Sequence, residues 1–392
     1  MPHRASPLCQ LLPAGRSRWL LALAVAAALA GCASSNPAYD PSKPHHLPNG
    51  FRNLHASPHG EPEGGFWAWQ WQRLRSDLPA DRPERVPRAP VDLDRLQRPT
   101  GDLTFTWLGH SSALWQVNGL RVMTDPHLSE RASPVSFAGP KRLNAPPLTA
   151  DQLPPIDVVL ISHNHYDHLD LSTVQRLAKQ AGGPPLFVVP LGVGRWMAEQ
   201  GITRVKELDW WERLQVPAAA GDVTLTFVPA HHWSSRTPWD RSATLWGGFV
   251  MQAQMDTQPV SVYYSGDTGY APDFAEIGQR FGGFDFSMIP VGCYEPRWFM
   301  RGQHVNEEEA VRIHQDVRSR QSIGVHWGVF RLCDDPVDAP LDGLPAALDR
   351  LQVARDAFML PVLGETRVLR AAGTTRGHGG PIGQAVSGPA AQ

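Results

Sequence analysis

The order of strands and helices along this chain predicts an α/β fold, a four-layer αβ/βα sandwich in which two mixed β-sheets face each other with helices outside. Three strands come first, at residues 103–108, 112–117 and 120–124, and the last two are joined by a tight Asn-Gly turn. Strands at 153–161 and 186–189 then alternate with helices at 172–181 and 193–200, before a strand at 223–228. Hairpins on both sides of the alternating segments indicate two mixed sheets.

Length and charge narrow the class of protein. The chain has 392 residues, enough for one large α/β domain with extensions or for two modest domains. Its net charge of −2 and isoelectric point near 6.8 do not suggest a nucleic-acid binder, so no nucleic-acid partner is expected. Only 19% of the residues are charged, while 35 glycines and 37 prolines indicate a loop-rich domain with Pro-rich ends.

Residues 1–31 have the pattern of a lipoprotein signal peptide. Two arginines precede an apolar core at residues 19–29, which is too short to span a bilayer comfortably. Residues 29–32, Leu-Ala-Gly-Cys, resemble the bacterial lipobox, in which cleavage leaves Cys32 amino-terminal and lipid-modified. The Ala-Ser pair after the cysteine predicts a lipid-anchored protein of the bacterial cell envelope, on the outer membrane facing the periplasm. An ordinary cleaved signal peptide or a cytosolic start is the alternative.

Residues 32–98 are predicted to be a Pro-rich tether followed by an arm that lies on the domain, because they show no lasting period. Residues 64–71, GGFWAWQW, interrupt this stretch with four aromatic side chains. Trp favours the interface of a membrane, so lipid contact is one interpretation, and packing on the domain or a subunit contact are the others. The domain is predicted at residues 99–370, and the Gly/Ala/Pro-rich tail at 371–392 is predicted to be disordered.

The strongest functional signal follows the apolar, β-branched run at 156–161, which reads as a buried strand. Five polar side chains come directly after it: His163, His165, Asp167, His168 and Asp170. Residues two apart in an extended backbone point the same way, so His163 and His165 can share one metal ion, while Asp167 and His168 can face a second. Imidazole and carboxylate ligands without cysteine indicate sites that stay open to water. The alternatives are a His-rich surface loop and core histidines that are satisfied by hydrogen bonds.

HxHxDH is the signature of the metallo-β-lactamase superfamily, and this stretch resembles it without a mismatch. That resemblance implies a lone histidine, a bridging aspartate and a last histidine further along the chain. By the family pattern P-x-x-H-W, the lone histidine is His232, with His231 as its neighbour. Asp267 follows a strand between glycines, where a carboxylate can bridge two cations, and His326 ends another apolar strand. The implied ligands are His163, His165 and His232 for one ion, Asp167, His168 and His326 for the other, and Asp267 between them.

Longer stretches resemble a narrower family, the N-acylphosphatidylethanolamine-hydrolysing phospholipase D enzymes. They are TWLGH at 106–110, TDPHLSERASPVSFAGPKR at 124–142, LPPIDVVLISHNHYDHLD at 153–170, ELDWWE at 207–212, SGDTGY at 265–270 and YEPRWFMRGQHVNEEEAVRIH at 294–314. The similarity covers residues 101–369 in the expected order. It implies a metallo-β-lactamase fold and a phosphodiesterase that holds two zinc ions per chain. Its reaction releases N-acylethanolamine and phosphatidic acid through a hydroxide between the metals. The leader and the tether lie outside the family core.

The same resemblance implies roles for residues around the metals. Asp167, Asp267 and His304 are the expected catalytic residues, and His304 would supply a proton or bind phosphate. The expected substrate-binding residues are Asp125, Tyr166, Gln303, His304 and His314. For Asp125, Gln303, His304 and His314, a structural hydrogen bond is the alternative role. Whether Cys293 and Cys333 form a disulfide is left open.

Other functions are carried as alternatives. A metallo-lactonase or another phosphodiesterase can use the same dinuclear site, because a fold and its metals do not fix the substrate. A noncatalytic envelope lipoprotein is the alternative from a different class, and the intact set of seven ligands argues against it. The expected partners are a phospholipid substrate, a membrane reached through the lipid anchor and, as an open alternative, a second copy of the chain in a homodimer.

Overall fold

Two seven-stranded mixed β-sheets face each other across a shared hydrophobic core, as the sequence predicted. The computed structural model describes residues 35–56, 65–99, 101–255 and 258–370. The predicted signal peptide, the predicted lipidation site Cys32 and the predicted tail therefore lie outside the described residues. In the arm before the sheets, β1 (His46–Leu47) and β2 (Gly50–Phe51) form a short hairpin, and helix α1 spans Gly65–Arg73.

The first sheet contains the strand that leads to the HxHxDH stretch. Its strands are β3 (Leu103–Gly109), β4 (Ser112–Val117), β5 (Leu120–Thr124), β6 (Val158–Leu160), β7 (Leu186–Pro190), β8 (Val205–Leu208) and β16 (Thr366–Leu369). The order is β16-β3-β4-β5-β6-β7-β8, antiparallel as far as β5 and parallel beyond it. Strand β6 is shorter than the predicted 153–161, because Pro154 and Pro155 have no N–H to donate to a neighbouring strand.

The second sheet has the same arrangement. Its strands are β9 (Arg213–Val216), β10 (Val223–Val228), β11 (Gly248–Met255), β12 (Gln258–Tyr264), β13 (Phe284–Pro290), β14 (Ser319–Val325) and β15 (Phe358–Met359). The order is β9-β10-β11-β12-β13-β14-β15, again antiparallel for the first three pairs and parallel for the last three. The two sheets thus repeat one topology, which agrees with the pseudo-twofold symmetry of an αβ/βα sandwich.

Helices cover the outer faces of the sheets. They are α2 (Leu93–Gln97), α3 (Leu171–Ala178), α4 (Val193–Glu199), α5 (Asp273–Phe281), α7 (Glu307–Asp316) and α8 (Pro340–Arg350), whereas the short α6 (Arg297–Met300) lies against α1. Alternation along the strands explains this layering, because successive side chains point to opposite faces. Val158 and Leu160 point into the core between the sheets, whereas Val159 packs with Val174 of α3 on the outer face. Burial on both faces explains why β6 is apolar throughout.

Helix α1 of the arm packs against the short helix α6. Trp69 of α1 stacks on Phe299 of α6 with ring centroids 5.1 Å apart, so this part of the predicted aromatic cluster packs on the domain. The neighbouring Trp67 and Trp71 are 79% and 58% exposed. Among the described residues, no helix combines the length and the apolar character that crossing a bilayer requires. Cys293 and Cys333, whose pairing the sequence left open, form a disulfide beside this contact.

Candidate metal centre

The ends of several strands bring the predicted ligands together at one edge of the sandwich. The HxHxDH stretch begins three residues after β6, and His232 lies four residues after β10. Asp267 follows β12 closely, and His326 comes directly after β14. A strand fixes where its last residue lies, so ligands at strand ends are held by the core rather than by a mobile loop.

The first group contains His163, His165 and His232, of which His163 and His232 are buried and His165 is partly exposed. The Nε2 atom of His163 lies 2.8 Å from Nδ1 of His165, and Nε2 of His232 lies 3.3 Å from the same nitrogen. Burial lowers the pKa of both His165 and His232 to about 3, so the rings are neutral. Three neutral imidazoles with converging nitrogens are the ligands that zinc and similar cations take.

The second group contains Asp167, His168 and His326, and Asp267 lies against it. Nε2 of His168 and Nε2 of His326 are each 3.2 Å from Oδ2 of Asp167. The same nitrogens lie 3.0 and 3.1 Å from Oδ2 of Asp267. Asp267 also shares a group of possible ligands with His232 of the first set, so its carboxylate lies between the two groups. The structure therefore brings all seven predicted ligands into one adjoining pair of sites.

One buried atom tests whether this arrangement fits metal ions. Oδ1 of Asp267 is buried without a hydrogen-bond partner. An unpaired polar atom in a protein interior is costly, unless a cation binds beside it. Although burial alone would raise it, the neighbouring His168 and His326 hold the pKa of Asp267 well below its usual range. The carboxylate is then ionised, which is the form that coordinates metal. The residues present fit two cations.

Asp125 is buried beneath the ligand His168, where a substrate cannot contact it directly. Its carboxylate is completely buried and accepts hydrogen bonds from His168 Nδ1 at 2.6 Å and from the Ser162 N–H at 2.7 Å. The hydroxyls of Ser162 and Tyr264 donate to its second oxygen. Because the carboxylate only accepts, His168 carries its proton on Nδ1 and presents the lone pair of Nε2 to the metal position. Asp125 therefore orients a ligand, which corrects its predicted role in binding substrate.

His314 also lies away from the metal centre, which does not agree with its predicted role in substrate binding. It lies on α7 and its Nδ1 is 2.8 Å from the Ser322 hydroxyl of β14, between helix and sheet. Its side chain is 94% buried in that layer, where it packs beside Phe358, so it is not part of the metal centre. Spacing within the YEPRWFM…RIH segment could not show this, because α7 turns away from the strand ends after it begins.

His304 and Gln303 lie at the open side of the centre. Nδ1 of His304 is 3.8 Å from Oδ2 of Asp267 and has no hydrogen-bond partner, so the ring lies over the ligands. The Gln303 carbonyl is 2.9 Å from His232 Nδ1, and its side-chain oxygen accepts from Trp233 Nε1 at 2.6 Å. These positions suit groups that meet a substrate.

Tyr166 lies within the HxHxDH stretch but points away from the ligands. Its hydroxyl donates to the Arg236 carbonyl at 2.9 Å, and the Arg236 guanidinium lies over its ring at 4.0 Å. Together with Trp196 these side chains line a cavity of about 200 Å³. Tyr166 lines this cavity, and its predicted role in substrate binding stays a prediction.

His110 belongs to the centre and was not predicted from the sequence. Its Nε2 is 2.9 Å from Oδ2 of Asp167, and it shares one group of possible ligand atoms with Asp167, His168 and His326. The available signal was its position directly after β3, at the same edge as the other ligands. His231, the neighbour of His232, instead donates its backbone N–H to Thr268.

Comparison with known proteins agrees with this geometry. Residues 120–327 match the sequence model of the Beta-lactamase superfamily domain. An N-acyl-phosphatidylethanolamine-hydrolyzing phospholipase D 1 of Caenorhabditis elegans is 36% identical over 301 residues, covering 74% of this chain and 83% of that protein. An uncharacterized protein of Mycobacterium tuberculosis is 38% identical over 334 residues, covering 82% of this chain and 84% of that protein.

Solved structures add evidence on the fold alone. An isothiocyanate hydrolase from Delia radicum gut bacteria superposes with a TM-score of 0.54 at 18% identity, covering 68% of this chain and 98% of that one. Long, well-covered sequence similarity and the converging ligands point the same way. The chain is a metal-dependent hydrolase that belongs to the N-acylphosphatidylethanolamine-hydrolysing phospholipase D family of the beta-lactamase superfamily.

Proposed function

We propose that this protein is a zinc-dependent phosphodiesterase of the phospholipase D type, which hydrolyses N-acylphosphatidylethanolamine to N-acylethanolamine and phosphatidic acid. The observation that carries the proposal is the convergence of seven ligands at one buried centre in a chain of this family. Five of the seven ligands are imidazoles and two are carboxylates, a set that suits zinc better than magnesium or calcium.

The ligands divide between two ions. His163, His165 and His232 would hold one ion, Asp167, His168 and His326 the other, and Asp267 would contact both. Zinc held by these residues would polarise the phosphoryl oxygens and activate a water molecule for attack on phosphorus. No side chain is then required as a nucleophile.

The remaining residues orient the reactants. His304 lies over Asp267 with an unpaired ring nitrogen, so it can hydrogen-bond the phosphodiester or the departing oxygen. Gln303 is tied to His232 through its carbonyl and to Trp233 through its side chain. These two bonds hold the segment that carries His304 at a fixed distance from the ligands.

We also propose that the substrate is reached at a membrane surface. Trp67 and Trp71 are one helical turn apart on the exposed side of α1, and Phe66 is 51% exposed beside them. The opposite side of α1 stacks on α6, whose last residue, Met300, accepts backbone hydrogen bonds from Gln303 and His304 at 2.8 Å. Exposed Trp side chains one helix away from the substrate side support contact with a lipid interface. A homodimer that covers the same face is the alternative.

Attachment through a lipidated Cys32 remains part of this proposal. It would confine the enzyme to the surface of the bacterial cell envelope where its substrate lies, on the outer membrane facing the periplasm. The leader pattern in the sequence supports it.

Hydrolysis in H₂¹⁸O tests the chemistry. Protein lacking residues 1–32 is incubated with N-acylphosphatidylethanolamine, and the products are identified by mass spectrometry. Water attack at phosphorus places one ¹⁸O in phosphatidic acid and none in N-acylethanolamine. The variant Asp267→Ala, prepared in the same way, should release neither product, which excludes a contaminating host enzyme.

A panel of lactones and small phosphodiesters accompanies the lipid. If the purified protein opens a lactone and leaves the lipid intact, the phospholipase proposal is wrong and a metallo-lactonase takes its place. Label in the N-acylethanolamine would instead show attack at carbon and would contradict the proposed reaction.

A further inference from the structure

Asn53, in the arm that precedes the domain, contacts the backbone of a proposed metal ligand. Its Nδ2 donates to the His232 carbonyl at 3.0 Å, and its Oδ1 accepts the His232 N–H at 3.2 Å. One side-chain amide thus satisfies both backbone groups of a single residue, as a neighbouring strand would. The same Oδ1 accepts from Trp246 Nε1 at 3.0 Å, which fixes the orientation of the amide.

The His232 side chain is fixed from the other direction. Its Nδ1 lies 2.9 Å from the Gln303 carbonyl, which leaves Nε2 to converge with His165. A ring held at Nδ1 and a backbone held at N–H and carbonyl leave little freedom for the position of Nε2. The two backbone hydrogen bonds come from Asn53, which lies in the arm and not in the predicted domain at residues 99–370.

The arm can act in this way because it is firmly anchored. The carboxylate of Asp209 accepts hydrogen bonds from Nε2 of His45 at 2.7 Å and Nε2 of His46 at 3.0 Å. The Lys43 ammonium and the Trp210 N–H also donate to it. Asp209 is 99% buried, and four donors saturate its two oxygens, so this cluster is an anchor rather than an open metal site.

Further contacts continue the anchor toward Asn53. The imidazole of His45 stacks on Trp210 with ring centroids 4.4 Å apart, and Phe51, two residues before Asn53, is buried in the core. The Phe51 N–H donates to the Ser242 carbonyl at 2.8 Å. The chain between the Asp209 anchor and Asn53 is therefore held along its length.

We propose that Asn53 is a positioning residue for the first metal site, and that the arm is a structural part of the metal centre rather than a tether alone. The inference rests on the metal binding in the proposed function, but not on the lipid substrate. Residues that orient a ligand from behind typically contribute about 10- to 100-fold to metal affinity. Loss of the two bonds from Asn53 should weaken the first site by about 10-fold.

Metal affinity in the full-length protein tests this. Asn53→Ala is compared with Asn36→Ala, a matched control in the same arm, since the Asn36 amide bonds backbone groups of the arm but contacts no ligand. Stepwise Co²⁺ titration in competition with a chelator gives the affinity, and the visible spectrum reports the ligand geometry. The expected result is about 10-fold weaker binding and an altered spectrum for Asn53→Ala, with Asn36→Ala within about twofold of the wild type.

Two outcomes would overturn the proposal. Wild-type affinity and spectrum in Asn53→Ala would show that the contact does not position His232. An equal loss in both variants would assign the effect to docking of the arm as a whole. If Asn53→Ala fails to fold, Asn53→Ser keeps one hydrogen bond and should show a smaller loss of affinity. Because no lipid is used, these results stand whether or not the phospholipase reaction is found.

Discussion

Asp125→Asn offers a direct test of how the ligands are held, because it changes one charge and almost no volume. In the wild type, one carboxylate oxygen accepts from the Ser162 N–H, and the other accepts from the hydroxyls of Ser162 and Tyr264 and from His168 Nδ1. Asparagine has one oxygen and one NH₂ group. Whichever way the amide turns, its NH₂ group faces at least one N–H donor.

Either orientation disturbs a ligand. If the NH₂ group faces His168, the imidazole loses the acceptor that orients it toward the second ion. If it faces the Ser162 N–H, the peptide next to His163 shifts, and the first ion is affected. Loss of such a partner typically lowers metal affinity about 10- to 100-fold, equal to about 1.4–2.7 kcal/mol.

The assay is zinc affinity by chelator competition, measured together with kcat and KM. Tyr264→Phe is the matched control, because it removes one donor to Asp125 and leaves the carboxylate and its bond to His168 intact. We expect the control to stay within a few-fold of the wild type. Unchanged zinc affinity in Asp125→Asn, with a raised KM alone, would refute the reasoning and restore the substrate contact that the sequence predicted.

Three further predictions concern stability and the lipid surface. Reduction of the disulfide, whose cysteines are 40 residues apart, should lower the free energy of unfolding by about 4 kcal/mol, and an unchanged urea midpoint would contradict this. Burial raises the pKa of Glu307 to about 7 from its usual 4.5, so the folded state binds the extra proton and wild-type stability should fall as the pH rises through this range. Between pH 5 and pH 8, Glu307→Gln should reduce the fall in the free energy of unfolding by up to about 3 kcal/mol. The same dependence of urea unfolding on pH in the variant and the wild type would contradict this. Replacing both Trp67 and Trp71 by Ser should weaken binding to phospholipid vesicles in a sedimentation assay. Trp239→Ser, which removes an 88% exposed indole from a loop, should leave vesicle binding unchanged. Equal binding by the wild type and both variants would contradict the proposed membrane surface.

The sandwich and the metal ligands could be predicted from the sequence because their signals are local. The run before His163 is apolar throughout, as expected of a strand that is buried on both faces. Two histidines that are two residues apart point the same way in such an extended backbone. Asp267 and His326 were harder to place from spacing, and the family resemblance supplied their order. The structure confirms the fold and brings these residues together.

The residues behind the ligands could not be predicted in the same way. Asp125 directly follows β5, and His168 comes after β6. Their hydrogen bond forms only because β5 and β6 are neighbours in the folded sheet. Asn53 is 179 residues from His232 along the chain. A side chain that acts through another leaves no local pattern, because its identity is set by a partner that is distant in sequence.

A two-metal centre that hydrolyses a phospholipid should lose its activity together with its metal. The decisive experiment determines the metal content of one protein preparation alongside N-acylethanolamine release before chelation, after chelation and after zinc is restored. We expect close to two zinc ions per chain, loss of turnover when the metal is removed and recovery when zinc is returned. Full turnover by protein stripped of metal would contradict it.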